Sequence, residues 1–241
     1  MTKMYGIILA AAGLSLSAYP AYAQVGPVQD SAQEHPSEQS GSARDGRFRF
    51  GITAGTLGIG PEIGYRVNRT IGARANATFL SVSHSIKSND VRYDGKVNLK
   101  SGGVMLDLYP FGGGFFLSAG ARTNGNDGRL RATPQNMTKI GNMAFTPAQI
   151  GTISGRAEVK SVAPQLTLGY GGGLRRGLSF NVEAGALFQG AVRVRDFASN
   201  GTLSSDPRFI VELEKERVNI QKKVDDYQVY PILQFGLKYR F

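Results

Sequence analysis

The chain closes on Tyr230-Pro231-Ile232-Leu233-Gln234-Phe235-Gly236-Leu237-Lys238-Tyr239-Arg240-Phe241, the stretch on which the fold turns. Leu233, Phe235, Leu237, Tyr239 and Phe241 alternate with Gln234, Gly236, Lys238 and Arg240. Successive side chains of an extended strand point to opposite faces, so one face is apolar and the other polar or small. A strand of a soluble sandwich alternates in the same way, and the rest of the sequence has to separate the two.

The same period recurs upstream. Leu178, Phe180, Val182, Ala184, Ala186 and Phe188 oppose Ser179, Asn181, Glu183, Gly185 and Gln189, interrupted only by Leu187. Ala73, Ala75, Ala77 and Phe79 oppose Arg74, Asn76 and Thr78, and Phe48, Phe50, Ile52 and Ala54 oppose Arg49, Gly51, Thr53 and Gly55. Eight strands follow, at approximately 47–57, 60–68, 71–86, 91–110, 114–124, 156–171, 177–194 and 228–241. In the fourth, Val97 and Leu99 have the opposite parity to Val104, Leu106 and Leu108, which predicts a bulge at Gly102-Gly103.

The connections differ in length. Val67 to Thr70, Tyr109 to Gly114 and Gly171 to Gly177 are tight, Gly- or Asn-bearing turns. Ser85 to Asp94, Thr123 to Lys160 and Arg195 to Tyr227 are longer and polar. The first connection on that side, near Gly58 to Pro61, is short. Short turns at one end and long loops at the other are the pattern of a closed antiparallel barrel that spans a membrane, with the short turns periplasmic. Closure satisfies every strand's backbone in hydrocarbon, so outward positions are free to be apolar and inward ones polar.

The N-terminus fits export. Lys3, the apolar run Gly6–Ala18 and Ala21-Tyr22-Ala23 read as a signal peptide over 1–23, cleaved after Ala23. The apolar run falls short of the ~20 residues that a transmembrane helix needs. Residues 24–46, rich in Ser, Gln, Glu, Pro and Gly, read as a flexible periplasmic linker, and 47–241 as the barrel. The 241 residues contain no Cys, so neither disulfides nor a lipidated cysteine are expected. Residues 24–45 carry a charge of −3; setting them and Lys3 aside, the formal +10 becomes about +12 on the remainder. Those basic residues are dispersed and form no nucleic-acid fingerprint. An anionic membrane surface is the fitting counter-charge.

The signal peptide, the alternation, the loop asymmetry and the terminal strand together resemble small outer-membrane barrels of Gram-negative bacteria, the OmpA-like and OmpX-like transmembrane class, over roughly 47–241. The resemblance implies a cell outer-membrane location, outer-membrane lipids and lipopolysaccharide as neighbours, and an assembly signal in Phe235, Leu237, Tyr239 and Phe241 for the barrel assembly machinery. The same scaffold serves anchors, adhesins, channels and lipid-modifying enzymes, so it does not select an activity.

Parity sends Glu62, Arg66, Arg74, Asp107, Arg122, Glu183 and Lys238 inward, with Arg240 following. An eight-stranded interior has room only for side chains, which predicts a salt-bridged lumen without a wide pore. Phe48, Phe50, Tyr65, Tyr109, Phe111, Tyr170, Phe235, Tyr239 and Phe241 stand near strand ends as candidate interfacial girdles. Within the last loop, Asp206-Pro207 opens an amphipathic stretch through about Asp226, a helix that packs on the rim or serves as lid, plug or partner-binding element.

Catalytic candidates are few. His35 lies in the linker. Ser83-His84-Ser85 invites comparison with lipid-modifying barrels, but neighbours on a strand face opposite ways. Asn124 to Gly128 reads as a loop apex, too short for a calcium loop, and the glycine triplets at 112–114 and 171–173 are turns, since strand follows each. No metal, cofactor or catalytic residue is assigned. The reading is a structural or surface-interaction barrel, with a small-solute channel of the OmpW-like kind and a His84 lipid-modifying enzyme as alternatives.

Overall fold

The computed structural model describes residues 46–88, 90–171 and 176–241. The signal segment with Ala21 and Ala23, residues 24–45 and most of the third glycine turn lie outside the described residues. Gly46, grouped with the linker by composition, is buried, and its carbonyl accepts from Arg240 Nη1 at 3.1 Å.

The described chain runs β1 (Phe48–Gly55), β2 (Gly58–Arg66), β3 (Ile71–Lys87), β4 (Val91–Leu108), β5 (Phe115–Asn124), β6 (Asp127–Pro134), β7 (Thr138–Ile140) and β8 (Met143–Phe145). After these come α1 (Pro147–Ile150), β9 (Ile153–Glu158), β10 (Val162–Gly171), β11 (Gly177–Leu187), β12 (Arg193–Ser199), α2 (Pro207–Val224) and β13 (Tyr230–Arg240). Eleven strands form one antiparallel sheet, and eight of them close on themselves in the order β1-β2-β3-β4-β5-β10-β11-β13 and back to β1. Each strand of that ring has a partner on both sides, so the ring itself has no open edge.

The segments 123–160 and 195–227, expected as long polar loops, instead contain strands that raise the wall by a second tier. β6 pairs with the upper half of β4, β9 with β6, and β12 with β9. Gly125 and Asn126 join β5 to β6 without a register change: Gly125 N donates to Lys100 O at 2.9 Å, and Lys100 N to Asn126 Oδ1 at 2.8 Å. Asn124 to Gly128 is therefore a joint within a strand line and not a loop apex. β9 similarly leads into β10, with Asn124 N donating to Ser161 O at 2.7 Å. β11 leads into β12 through Gly190, whose φ of 72° suits a residue without Cβ. β1, β2 and β13 stop at the rim.

This two-tier wall explains the parity change in β4. Its register with β3 is unbroken from Ile71↔Leu108 to Lys87↔Arg92, so there is no bulge at Gly102-Gly103. Odd positions face inward throughout. Below the rim the apolar set is outward, at Val104, Leu106 and Leu108. Above the rim it is inward, at Tyr93 and Leu99, because a helix covers that side. The same parity corrects Tyr109, expected in the outer girdle: it is only 2% exposed and lies inside. The first connection is the two-residue turn Thr56-Leu57, and Pro61 stands within β2 opposite Ile52.

Helix α2 begins as its sequence suggests. Asp206 Oδ1 accepts from the Arg208 and Phe209 amides at 2.8 and 3.2 Å, with Pro207 in the first turn. Phe209 and Leu213 pack with Ile140, Phe145, Ile150 and Ile153; Ile220 and Val224 pack with Val192 and Val194. The helix thus covers the inward face of the upper tier, and each large side chain so buried contributes about 1.5–3 kcal/mol. No helix of the described residues is long and apolar enough to cross a membrane.

The outer wall of the ring is apolar and uncovered: Val104, Leu106, Leu178 and Phe180 are 65–73% exposed. An apolar surface of that extent needs a nonpolar surrounding. Around the short turns, Phe48 packs on Tyr65, Phe111 on Phe115 and Tyr239 on Phe241, with ring centroids 4.8, 5.9 and 4.9 Å apart.

Candidate functional site

The interior of the ring holds the charged residues selected by parity: Glu62, Arg66, Arg74, Asp107, Arg122, Glu183 and Lys238 are all buried. They fall into three groups along the axis.

At the middle, Arg74 projects from β3 into a ring of carboxylates. Its Nε lies 3.0 Å from Asp107 Oδ1 and its Nη1 3.8 Å from Glu62 Oε2, while both terminal nitrogens meet Glu183. Asp107 also receives Arg49 Nη2 and, at 2.6 Å, Ser118 Oγ. Glu62 pairs with Lys238, and Glu183 accepts from Thr167 Oγ1. Three carboxylates thus balance the three cations Arg49, Arg74 and Lys238. Burying a charge is tolerable only with such pairing, since an isolated one loses its hydration without return.

Above this group Arg122 has neutral partners: Asn76 Oδ1 at 2.6 Å, Gln165 Oε1 at 2.9 Å and Ser101 Oγ at 3.0 Å. Gly103 makes room for it, because a Cβ there would stand 2.8 Å from Arg122 Nη2. Towards the short turns, Arg66 donates to the carbonyls of Asn68, Arg69, Gly112 and Gly113 at 2.6–3.3 Å and lies 3.5 Å above the Tyr109 ring. One guanidinium therefore ties two turns together. At the opposite end Leu57, Ala163, Leu187, Tyr230 and Ile232 form an inward apolar cluster. Asn181 and Gln234 Nε2 are buried in the interior without hydrogen-bond partners.

Arg49, Asn76, Ser101, Ser118, Gln165 and Thr167 complete the network. Arg49 has the parity of Gly51 and Thr53, which was the available signal. Asn76 likewise has the parity of Arg74, whereas Ser101, Ser118, Gln165 and Thr167 gave no signal of their own, because their partners lie on strands distant in sequence. On β13, Gln234 and Lys238 are buried, whereas Phe235, Leu237, Tyr239 and Phe241 face out.

His84 lies elsewhere, exposed on β3 opposite Gly95 in the upper tier, with Ser83 and Ser85 on the other face of the strand. Among the described residues no group of three His, Cys, Asp or Glu is placed to hold a metal ion. On α2, Glu212 meets Lys215 Nζ and the Asn142 amide, at 2.6 and 2.7 Å, which together hold its carboxyl below the usual carboxylate range.

No family model matches the chain, and no curated protein does. Among solved structures the chain is similar to CarO2 of Acinetobacter baumannii, with a TM-score of 0.58 and 20% identity over 81% of this chain and 98% of that one. It is also similar to CarO of the same organism, with a TM-score of 0.54 and 19% identity over 80% and 97%. Likeness at this identity speaks for fold alone, and the fold shared with those two proteins is that of an antiparallel β-barrel.

Proposed function

We propose that this chain is an integral outer-membrane protein whose ring is a closed anchor and whose upper tier, with α2, is presented at the cell surface in a structural or surface-interaction role. The observation that carries this reading is Arg74, held at once by carboxylates from β2, β4 and β11, so that a charged lattice crosses the ring. The apolar cluster of Leu57, Leu187, Tyr230 and Ile232 supports occlusion at the upper end. The uncovered outer wall suits hydrocarbon, and the short turns suit the periplasmic side. On this reading Phe235, Leu237, Tyr239 and Phe241 are the strand face offered to the assembly machinery, in keeping with the OmpA-like and OmpX-like resemblance.

Planar-bilayer recording tests the anchor: the folded chain gives no steady conductance, and a large, steady single-channel current contradicts the reading. A small-solute channel is favoured by one observation, the partnerless polar atoms of Asn181 and Gln234 beside Gly236. A small current abolished by removing those polar atoms with Asn181→Leu would move the assignment there. No catalytic step is given to His84, so His84→Ala leaves the lipid A profile of cells unchanged; an altered profile would restore the enzyme reading.

A further inference from the structure

The outward face of the upper tier continues the lipid-facing wall of the ring and changes character at the rim. On β4 the exposed outward positions Leu108, Leu106 and Val104 give way to Lys100 and Lys96; on the β5–β6 line Leu117 gives way to Arg129 and Arg131. On the β10–β9 line Leu168 and Leu166 give way to Arg156.

The sheet register then sets four cations in one row. Lys96 pairs with Arg129, Arg129 with Arg156, and Arg156 with Arg195, across β4, β6, β9 and β12. Like charges directly opposite one another on neighbouring strands destabilise a sheet. Carboxylates offset this in part: Asp127 lies 3.3 Å from Arg129, Glu158 lies 3.6 Å from Arg156 and 3.2 Å from Arg195, and Asp196 lies 3.9 Å from Arg156. With Lys100 and Arg131 beside the row, six cations still exceed the four carboxylates Asp94, Asp127, Glu158 and Asp196 on this face. At roughly 4.8 Å per strand the row spans about 14 Å, the scale of a phosphorylated glycolipid headgroup.

We propose that the Lys96–Arg129–Arg156–Arg195 row is a docking surface for the headgroup phosphates of an anionic lipid in the leaflet surrounding the upper rim. The acyl chains lie against the apolar wall directly below, and the phosphates meet the row. Guanidinium forks suit phosphate oxygens. This inference rests on the membrane reading of the outer wall, and the two fail differently: a ring that does not insert into vesicles sinks that reading, whereas a ring that inserts but holds no anionic lipid sinks this one.

The test uses the full chain folded in zwitterionic detergent, given purified lipopolysaccharide, with retained lipid counted by native mass spectrometry. A variant carrying Lys96→Gln, Arg129→Gln, Arg156→Gln and Arg195→Gln retains at least roughly tenfold less, since each basic residue near an anionic surface contributes several-fold. The substitutions remove like-charge repulsion along with the exposed ion pairs to Asp127 and Glu158, and a heat-modifiable gel band verifies that the variant folds. A control carrying Lys139→Gln, Arg208→Gln, Lys222→Gln and Lys223→Gln removes equal charge away from this face and retains lipid as the parent does. Equal retention by the row variant overturns the proposal, as does an equal loss in the control. So does undiminished binding of the same lipid after enzymatic removal of its phosphates.

Discussion

Replacing Arg74 with methionine removes the cation that three carboxylates share while keeping much of its volume. The loss falls unevenly. Asp107 keeps Arg49 and Ser118, and Glu62 keeps Lys238, but Glu183 is left with Thr167 alone. Arg74 and Glu183 are 3% and 4% exposed, so water does not replace the lost partner. Breaking a buried pair on one side costs about 3–5 kcal/mol. Adding Glu183→Gln removes the stranded charge, so the double variant recovers about 2 kcal/mol relative to Arg74→Met alone. Urea unfolding in phospholipid vesicles, followed by the heat-modifiable gel band, measures both. The reasoning is refuted if Arg74→Met costs less than about 0.5 kcal/mol, the range of an inconsequential surface change, or if the double variant is no more stable than the single.

Three further outcomes follow from other parts of the molecule. Phe209→Ala empties a fully buried position where Phe209 meets Phe145 edge-on at 5.0 Å; at about 3–5 kcal/mol it opens the helix to protease while the ring keeps its gel mobility. If ring and helix are lost together, the two tiers are one cooperative unit. Gly103→Ala presses on the Arg122 guanidinium and costs about 1–3 kcal/mol by the vesicle assay; pairing it with Arg122→Met relieves the clash, and failure to do so places the strain elsewhere. Because Glu212 is held below the usual carboxylate range in the folded state, its contribution is fully present above that range and is lost as pH falls below it, through the depressed folded value. Protection of α2 from proteolysis therefore drops on acidification, less steeply in Glu212→Gln; an identical pH profile for both proteins removes Glu212 as the cause.

The ring was legible because its outward positions are long and apolar. Phe235, Leu237 and Tyr239 on β13 set a parity, and the same alternation on β2, β3, β4, β5 and β11 selected the buried charges without any knowledge of their partners. The partners themselves were not legible, since Arg74 reaches Glu183 across 109 positions in the chain. The upper tier escaped for a different reason. On β6 the inward residues are Gly128, Leu130 and Ala132, and on β9 they are Ile153, Gly155 and Ala157, so the apolar half of the alternation is thin. Their outward residues are charged, and each strand resembled polar loop. The supposed bulge in β4 came from the same blindness: a helix covering the inner face above the rim reverses which parity is apolar, while the backbone register stays unchanged.

A nitroxide scan along β4 tests the central claim most directly, and the absence of cysteine from the chain lets single labels be introduced without background. In reconstituted vesicles, labels at 104, 106 and 108 should be accessible to oxygen dissolved in the lipid, labels at 103, 105 and 107 should be accessible to neither lipid nor aqueous relaxant, and labels at 96 and 100 should be reached by the aqueous one. Lipid accessibility at the odd positions, or aqueous accessibility at 104 to 108, would contradict a closed wall with its apolar face in the membrane and its charges inside.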